Sequence, residues 1–283
     1  MMKVRIMTDS TVDLTPDLKS RLTIIPLTIH FGNVEYVDGV TINHYQFYEK
    51  LVESDVMPTT SQASPDAFHQ AFSRAVEAGE DVVVLTVASG LSGTCQSALI
   101  AAADFPGRVF VVDTQSVSIG AGILTQRALE LADNGMGAAD IAARLKIERE
   151  DIHVMALLDT LEYLKRGGRI SRTAAIAGGL LSIKPVICIR EGEIRMLGKA
   201  RGSKQGNNLL VQQIEAAGGV DFDKPLMLGY TGMTDVLLCK YVQDSAALWQ
   251  DHVTELPATV IGSVVGTHAG PGAIAVAFFQ KEK

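Results

Sequence analysis

Cysteine is scarce in this sequence and placed without pattern. Cys95, Cys188 and Cys239 are odd in number, far apart and include no C-x-x-C pair. That spacing argues against a disulfide framework or a zinc site and fits a reducing, cytoplasmic setting. Each thiol is expected to be a small buried apolar residue. Common catalytic signatures are missing as well. Gly202-Ser203-Lys204 reverses the order of a P-loop, and neither G-x-G-x-x-G nor H-E-x-x-H occurs. Gly90-x-Ser92-x-Thr94 lacks the second glycine of a hydrolase elbow. No histidine has companions at metal spacing, so neither a metal nor a cofactor is expected. Positive charge is in deficit, 25 Lys and Arg against 32 Asp and Glu. A net charge of −7 argues against general nucleic-acid binding, which needs a basic face. The charge-free stretch Val82 to Ala103 is long enough to span a bilayer, but Ser89 to Thr94 interrupts it as a polar loop. The start, Met1 to Ile6, carries Lys3 and Arg5 and meets Asp9 too soon for a signal peptide.

What is present is an ordinary globular composition, 47% hydrophobic and 20% charged, in a length comfortable for two domains. Strand patterns at Val4–Thr8, Leu22–His30, Val82–Val87 and Val109–Asp113 alternate with helix patterns at Phe47–Val52, Ser64–Ala78, Thr94–Ala103 and Gly120–Asp133. Residues 58–62 read as a loop. This alternation predicts a Rossmann-like α/β domain with a parallel sheet over residues 1–150. After the charged stretch Glu148 to Asp151 the pattern changes. Strands at Ile152–Leu158, Leu226–Tyr230 and Ala273–Phe279 mix with a hairpin, Pro185–Ile189 and Ile194–Leu197, around Glu191-Gly192-Glu193. Helices are expected at Thr160–Leu164, Thr173–Leu181, Ser203–Ala217 and Asp235–Leu248. Residues 151–283 therefore predict an α+β domain with a mainly antiparallel sheet.

Ser89-Gly90-Leu91-Ser92-Gly93-Thr94 follows a buried strand and opens a helix. Backbone N–H groups and hydroxyls gathered there suit an anion, phosphate or carboxylate. An ordinary βα turn explains the same residues equally well. Thr59-Thr60-Ser61-Gln62 is a second hydroxyl cluster, by itself a capping loop. His268 lies in Gly266-Thr267-His268-Ala269-Gly270-Pro271-Gly272, read as a glycine-rich loop that lets backbone approach a ligand.

Taken in order, Asp9-Ser10-Thr11, Thr59 to Ser64, Gly90 to Thr94, Val112-Asp113-Thr114, Leu164-Lys165-Arg166-Gly167-Gly168-Arg169-Ile170 and Gly266 to Gly272 resemble the DegV family across nearly the whole chain. That family includes the fatty-acid-binding subunits, often called FakB, of bacterial fatty acid kinase. Ala63 and Cys95 replace a proline and a tyrosine of the usual motifs, without touching a hydroxyl or glycine. The resemblance implies a non-catalytic carrier of one long-chain fatty acid. It implies that Thr60, Ser61, Ser92, His268 and the backbone of Gly93 and Thr94 hold the carboxylate. It further implies an ATP-binding kinase subunit as partner, forming an acyl-phosphate for phospholipid synthesis. The apolar stretch Ala174 to Ile183 is a candidate lining for the acyl chain. The competing enzyme reading is a Ser-dependent acyl hydrolase or a small-molecule phosphotransferase using Ser92 or His268.

Charge is also unevenly spread. Between Lys165 and Lys204, ten basic residues face two acidic ones, a local charge of +8. Arg169, Arg172, Lys199, Arg201 and Lys204 are the candidates for a basic face near the mouth of the acyl site that meets an acidic partner or an anionic membrane surface.

Overall fold

The computed structural model describes residues 3–170 and 183–281. Arg172 and nearly all of the apolar stretch Ala174 to Ile183 lie outside the described residues. The first half runs β1 (Val4–Asp9), α1 (Pro16–Lys19), β2 (Thr23–Ile25), β3 (Thr28–Phe31), β4 (Val34–Val37), α2 (His44–Glu53), β5 (Thr59–Ser61), α3 (Pro65–Glu77), β6 (Asp81–Thr86), α4 (Thr94–Ala102), β7 (Val109–Asp113), α5 (Ser118–Asp133) and α6 (Ala138–Glu148). The second half runs β8 (Ile152–Leu157), α7 (Glu162–Arg166), β9 (Ile183–Arg190), β10 (Glu193–Arg201), α8 (Gly202–Ala216), β11 (Met227–Tyr230), α9 (Val236–Asp244), α10 (Ala246–Trp249), β12 (Ala258–Val260), α11 (Ser263–Ala269) and β13 (Ile274–Phe279).

The fold is mixed α/β. A four-stranded parallel sheet has the order β2-β1-β6-β7. Val82, Val83, Val84 and Leu85 are fully buried, as expected of a strand covered on both faces. A six-stranded sheet, β10-β9-β8-β13-β11-β12, is antiparallel except where β11 meets β12. The hairpin between β9 and β10 turns at Glu191 and Gly192, both at positive φ, which matches the right-handed twist of the strands. A three-stranded antiparallel sheet, β4-β3-β5, completes the set.

Several elements differ from the sequence reading. Leu22 to His30 is not one strand. Pro26 cannot donate to a ladder, and the chain breaks there: β2 pairs with β1 while β3 joins the small sheet. Residues 59–61 form an edge strand, not a loop, because β3 supplies backbone partners. The glycine-rich stretch around His268 is mostly helix, with His268 in the last turn of α11 and Gly270 at φ +72° ending it. The helix expected over Asp235–Leu248 breaks at Ser245.

Helix α5 is buried on nearly every side and packs on strands of both large sheets. Glycine makes this approach possible: a Cβ on Gly120 would lie 2.1 Å from Val154, and one on Gly122 would lie 2.2 Å from the Asp13 carbonyl. Buried side chains from the 12–14 loop, α5 and the inner face of the six-stranded sheet make one continuous apolar cluster. No helix among the described residues is long and apolar enough to cross a membrane.

Candidate functional site

A cavity lies between the two large sheets, with about 940 Å³ of unfilled space, its open mouth included. Most of its wall is apolar. Val154, Ala156, Ile187 and Ala275 come from the six-stranded sheet, Leu27 and Val87 from the other side, and Val264 and Val265 from α11. Ala156 and Ala275 are direct cross-strand partners, so the floor is shallowest in side-chain volume at that rung. The polar groups on the wall include Thr60, Ser92, Arg169 and His268.

Each of these is positioned by local chemistry. Strand alternation sends the Thr60 and Ser61 side chains to opposite faces of β5. The Thr60 Oγ1 accordingly sits 2.9 Å from His268 Nε2, while the Ser61 hydroxyl pairs with His30 Nε2 at 2.9 Å. Ser61 borders the cavity, but its hydroxyl is committed elsewhere. His268 is wedged by glycine: a Cβ on Gly167 would fall 2.2 Å from its Nδ1. Gly167 ends α7, and Gly168 at φ +70° turns the chain, which accounts for the paired glycines of the Lys165 to Ile170 motif. Arg169 follows at once. Its guanidinium donates to the Leu91 carbonyl at 3.2 Å and to the Gly167 carbonyl at 2.7 Å. Arg169 thereby ties the Ser92 loop to the His268 neighbourhood.

The Ser92 Oγ lies 2.9 Å from Thr94 Oγ1 and accepts the Thr94 N–H at 3.3 Å. The Gln62 amide covers Gly93, with its Oε1 2.0 Å from where a Cβ would stand. Gly93 and Thr94, whose backbone is expected to meet the ligand, thus stand at the start of α4 directly after the cavity-lining Ser92. Thr94 is fully buried, and its N–H is used within the loop. Gly90 has a different reason: a Cβ there would strike the Gly192 carbonyl at 2.7 Å, so the β9–β10 turn requires glycine. The Val112-Asp113-Thr114 motif is likewise a brace. Asp113 accepts the Ser89 and Gln115 N–H groups, and Thr114 Oγ1 donates to the Thr86 carbonyl at 2.8 Å.

Electrostatically the polar end is unusual. Burial, with a smaller push from the Arg169 charge, lowers the His268 pKa to about 4, so the imidazole is neutral at pH 7. Its Nδ1 is buried with no hydrogen-bond partner among the described residues. A cation beside two hydroxyls forms a site ready for an anion. The hydrogen bond of a serine hydrolase is not made, since Ser92 pairs with Thr94 and His268 with Thr60. Among the described residues no three His, Cys, Asp or Glu side chains gather as a metal site.

The other candidates lie apart from this pocket. Lys199 and Arg201 on β10, and Lys204 near the start of α8, are exposed. Part of the local +8 is neutralised from outside the stretch: Lys184 pairs with Asp159 and Arg166 with Glu162. The sequence reading places Arg169 on a basic face near the mouth of the acyl site, and the structure has it on the cavity wall itself. The signal was its position just after Gly167, which packs against the histidine, and Gly168, which turns the chain.

A model of the DegV family, described as uncharacterised proteins, matches residues 3–281. A DegV domain-containing protein of Deinococcus radiodurans is 36% identical over 282 residues, 98% of each chain. A fatty-acid-binding DegV family protein from Thermus thermophilus superposes with a TM-score of 0.87 at 34% identity, covering 98% of this chain and 100% of the other. A stearic-acid-binding protein from Eubacterium ventriosum gives a TM-score of 0.87 at 26% identity, covering 99% of both chains. With the fold shared end to end and the motif glycines accounted for by close packing, the chain belongs to the DegV family.

Proposed function

We propose that this chain is a non-catalytic carrier that holds one long-chain fatty acid in the cavity and presents its carboxylate to a separate ATP-dependent kinase subunit. The observation that carries the reading is the cavity itself, with apolar walls and a polar cluster of Thr60, Ser92, Arg169 and His268. A carboxylate buried with its tail needs several donors and a neutralising charge. Here Arg169 supplies the charge. The Thr60 hydroxyl can accept from His268 Nε2 and donate to the ligand. The Ser92 hydroxyl donates from the opposite loop. Each methylene of the tail buried against the apolar wall adds about 0.8 kcal/mol. The fatty acids named for the Thermus and Eubacterium relatives support the same ligand class.

In this reading residues 1–150 carry the hydroxyl loops, and residues 151–283 cover the acyl chain. The kinase partner, acyl-phosphate formation and a cytoplasmic role in phospholipid synthesis follow from the family resemblance. Lys199, Arg201 and Lys204, with Arg172, are then the face that meets the kinase or touches an anionic membrane surface. The test is organic extraction of the purified chain followed by lipid mass spectrometry. One fatty acid per chain is expected, and a chain that neither carries nor takes up fatty acid refutes the function.

A further inference from the structure

The motif Asp9-Ser10-Thr11-Val12-Asp13 runs from the last residue of β1 into the loop that follows it. Its two acids are fully buried. Asp9 closes its own turn, accepting the Thr11 N–H at 2.9 Å and the Thr11 hydroxyl at 2.6 Å, and also accepts the Val87 N–H at 2.7 Å. Asp13 reaches farther. Its Oδ1 accepts the Gly262 N–H at 2.9 Å and its Oδ2 accepts the Ser118 hydroxyl at 2.7 Å. Lys19 stands 4.0 Å away. Gly262 immediately precedes α11, the seven-residue helix that carries His268. A Cβ at Gly262 would come within 3.0 Å of the Asp13 carboxylate, so the approach is tight.

We infer that Asp13 is a positioning residue that sets His268 against Thr60 by fixing the start of α11. This inference rests on the proposed fatty-acid binding. Three observations support it. Ser118 is held at φ +56°, a strained conformation for serine, and its hydroxyl is bonded to Asp13. The same loop bonds Ser118 twice more, through Ser118 N–H to the Thr11 carbonyl and Asp13 N–H to the Ser118 carbonyl. The Thr259 hydroxyl donates to the Leu14 carbonyl, so the segment leading into α11 is anchored on both sides of Ile261. A buried carboxylate is costly wherever a neutral group would serve. Asp13 is placed so that one carboxylate fixes the loop, the first turn of α5 and the first turn of α11 together. A shift of α11 moves His268 off Thr60, because only seven residues separate Gly262 from the end of the helix.

The test is a double-mutant cycle on the delipidated full chain with palmitate as probe. Asp13→Asn is expected to weaken palmitate binding about tenfold and to shift the NMR resonances of the His268 ring. His268→Ala weakens binding by itself, and adding Asp13→Asn to it brings no further loss. Ser118→Ala, a smaller change to the same contact, moves both readouts in the same direction and decides the matter if Asp13→Asn does not fold. An equal loss with and without His268, or unchanged affinity in the folded variants, overturns the positioning role. A wild-type chain that takes up no palmitate overturns the binding reading, and the positioning role with it.

Discussion

Acid should destabilise the empty protein through His268, and the size of the effect can be worked out. An unfolded histidine takes up its proton near pH 6.5, whereas the folded chain accepts it only near about 4. Between those values the unfolded state binds more protons, so stability falls as pH falls. The contribution is intact above about pH 6.5, declines toward pH 4 and is flat below. The displacement, at about 1.36 kcal/mol per pH unit, totals about 3 kcal/mol. Asp38 works in the opposite direction, because burial raises its pKa to about 6 and the folded state protonates first. The wild-type curve therefore mixes both signs, and a difference against His268→Asn isolates the histidine. Urea unfolding of the delipidated chain from pH 7.5 to pH 4.5 should show wild type losing about 2 kcal/mol more than the variant. Loading with palmitate should shrink that difference, since a carboxylate beside the imidazole favours its charged form. A flat difference curve in the empty protein would refute the argument that burial keeps this histidine neutral.

Ser92→Ala should weaken palmitate binding by about 1.5–3 kcal/mol in a fluorescence displacement assay. Because among the described residues the Ser92 hydroxyl bonds only within its own loop, the melting temperature of the empty protein should hardly move. Gly167→Ala places a Cβ against the imidazole and should displace His268 from Thr60. Its check is lost palmitate affinity together with altered His268 ring resonances. Asp38→Asn should stabilise the protein by about 1–2 kcal/mol at pH 8, where the buried carboxylate is ionised, and by little at pH 4.5. Urea titrations at the two pH values test it. Reversing Lys199 and Lys204 to Glu should slow kinase-dependent turnover while leaving palmitate affinity intact, and unchanged turnover removes the docking face.

The fold class was legible because the strands that matter are long apolar runs with clear ends, such as Val82 to Val87 and Ile152 to Leu158. What was not legible depended on partners distant in sequence. Residues 59–61 look like a capping loop until β3 offers a backbone edge, and Thr60 and Ser61 separate in role only once they lie on a strand. The helix under His268 was hidden by its glycines. Gly266 is there because Tyr48 packs 2.4 Å from where its Cβ would be, and Gly270 because the Tyr163 ring lies 2.2 Å from its own. Local propensity assigns such residues to loops, yet here they mark close packing around the polar end. The inward turn of Arg169 was hidden for a related reason. A count of charges sees ten basic residues in a row of forty but not that one of them turns inward to meet Leu91.

The polar end and the apolar wall impose costs that a single ligand offsets together. An unfilled apolar space deprives its lining of packing contacts, and neighbours on a rigid sheet relax only in part. Among the described residues the Arg169 guanidinium bonds only to carbonyl oxygens, so its charge is a further cost at the same place. In the proposed function a fatty acid answers both: its tail fills the volume over Ala156 and Ala275, and its carboxylate gives Arg169, Thr60 and Ser92 an acceptor. Its binding free energy then adds to folding free energy by mass action, so the loaded chain is more stable than the empty one. The donors also come from separate parts of the fold, Ser92 from the loop after β6, Thr60 from the small sheet, and His268 and Arg169 from segments beside the six-stranded sheet. A carboxylate that touches all of them closes one polar network across those elements. Carrying cargo and holding the site together are, on this reading, the same set of contacts.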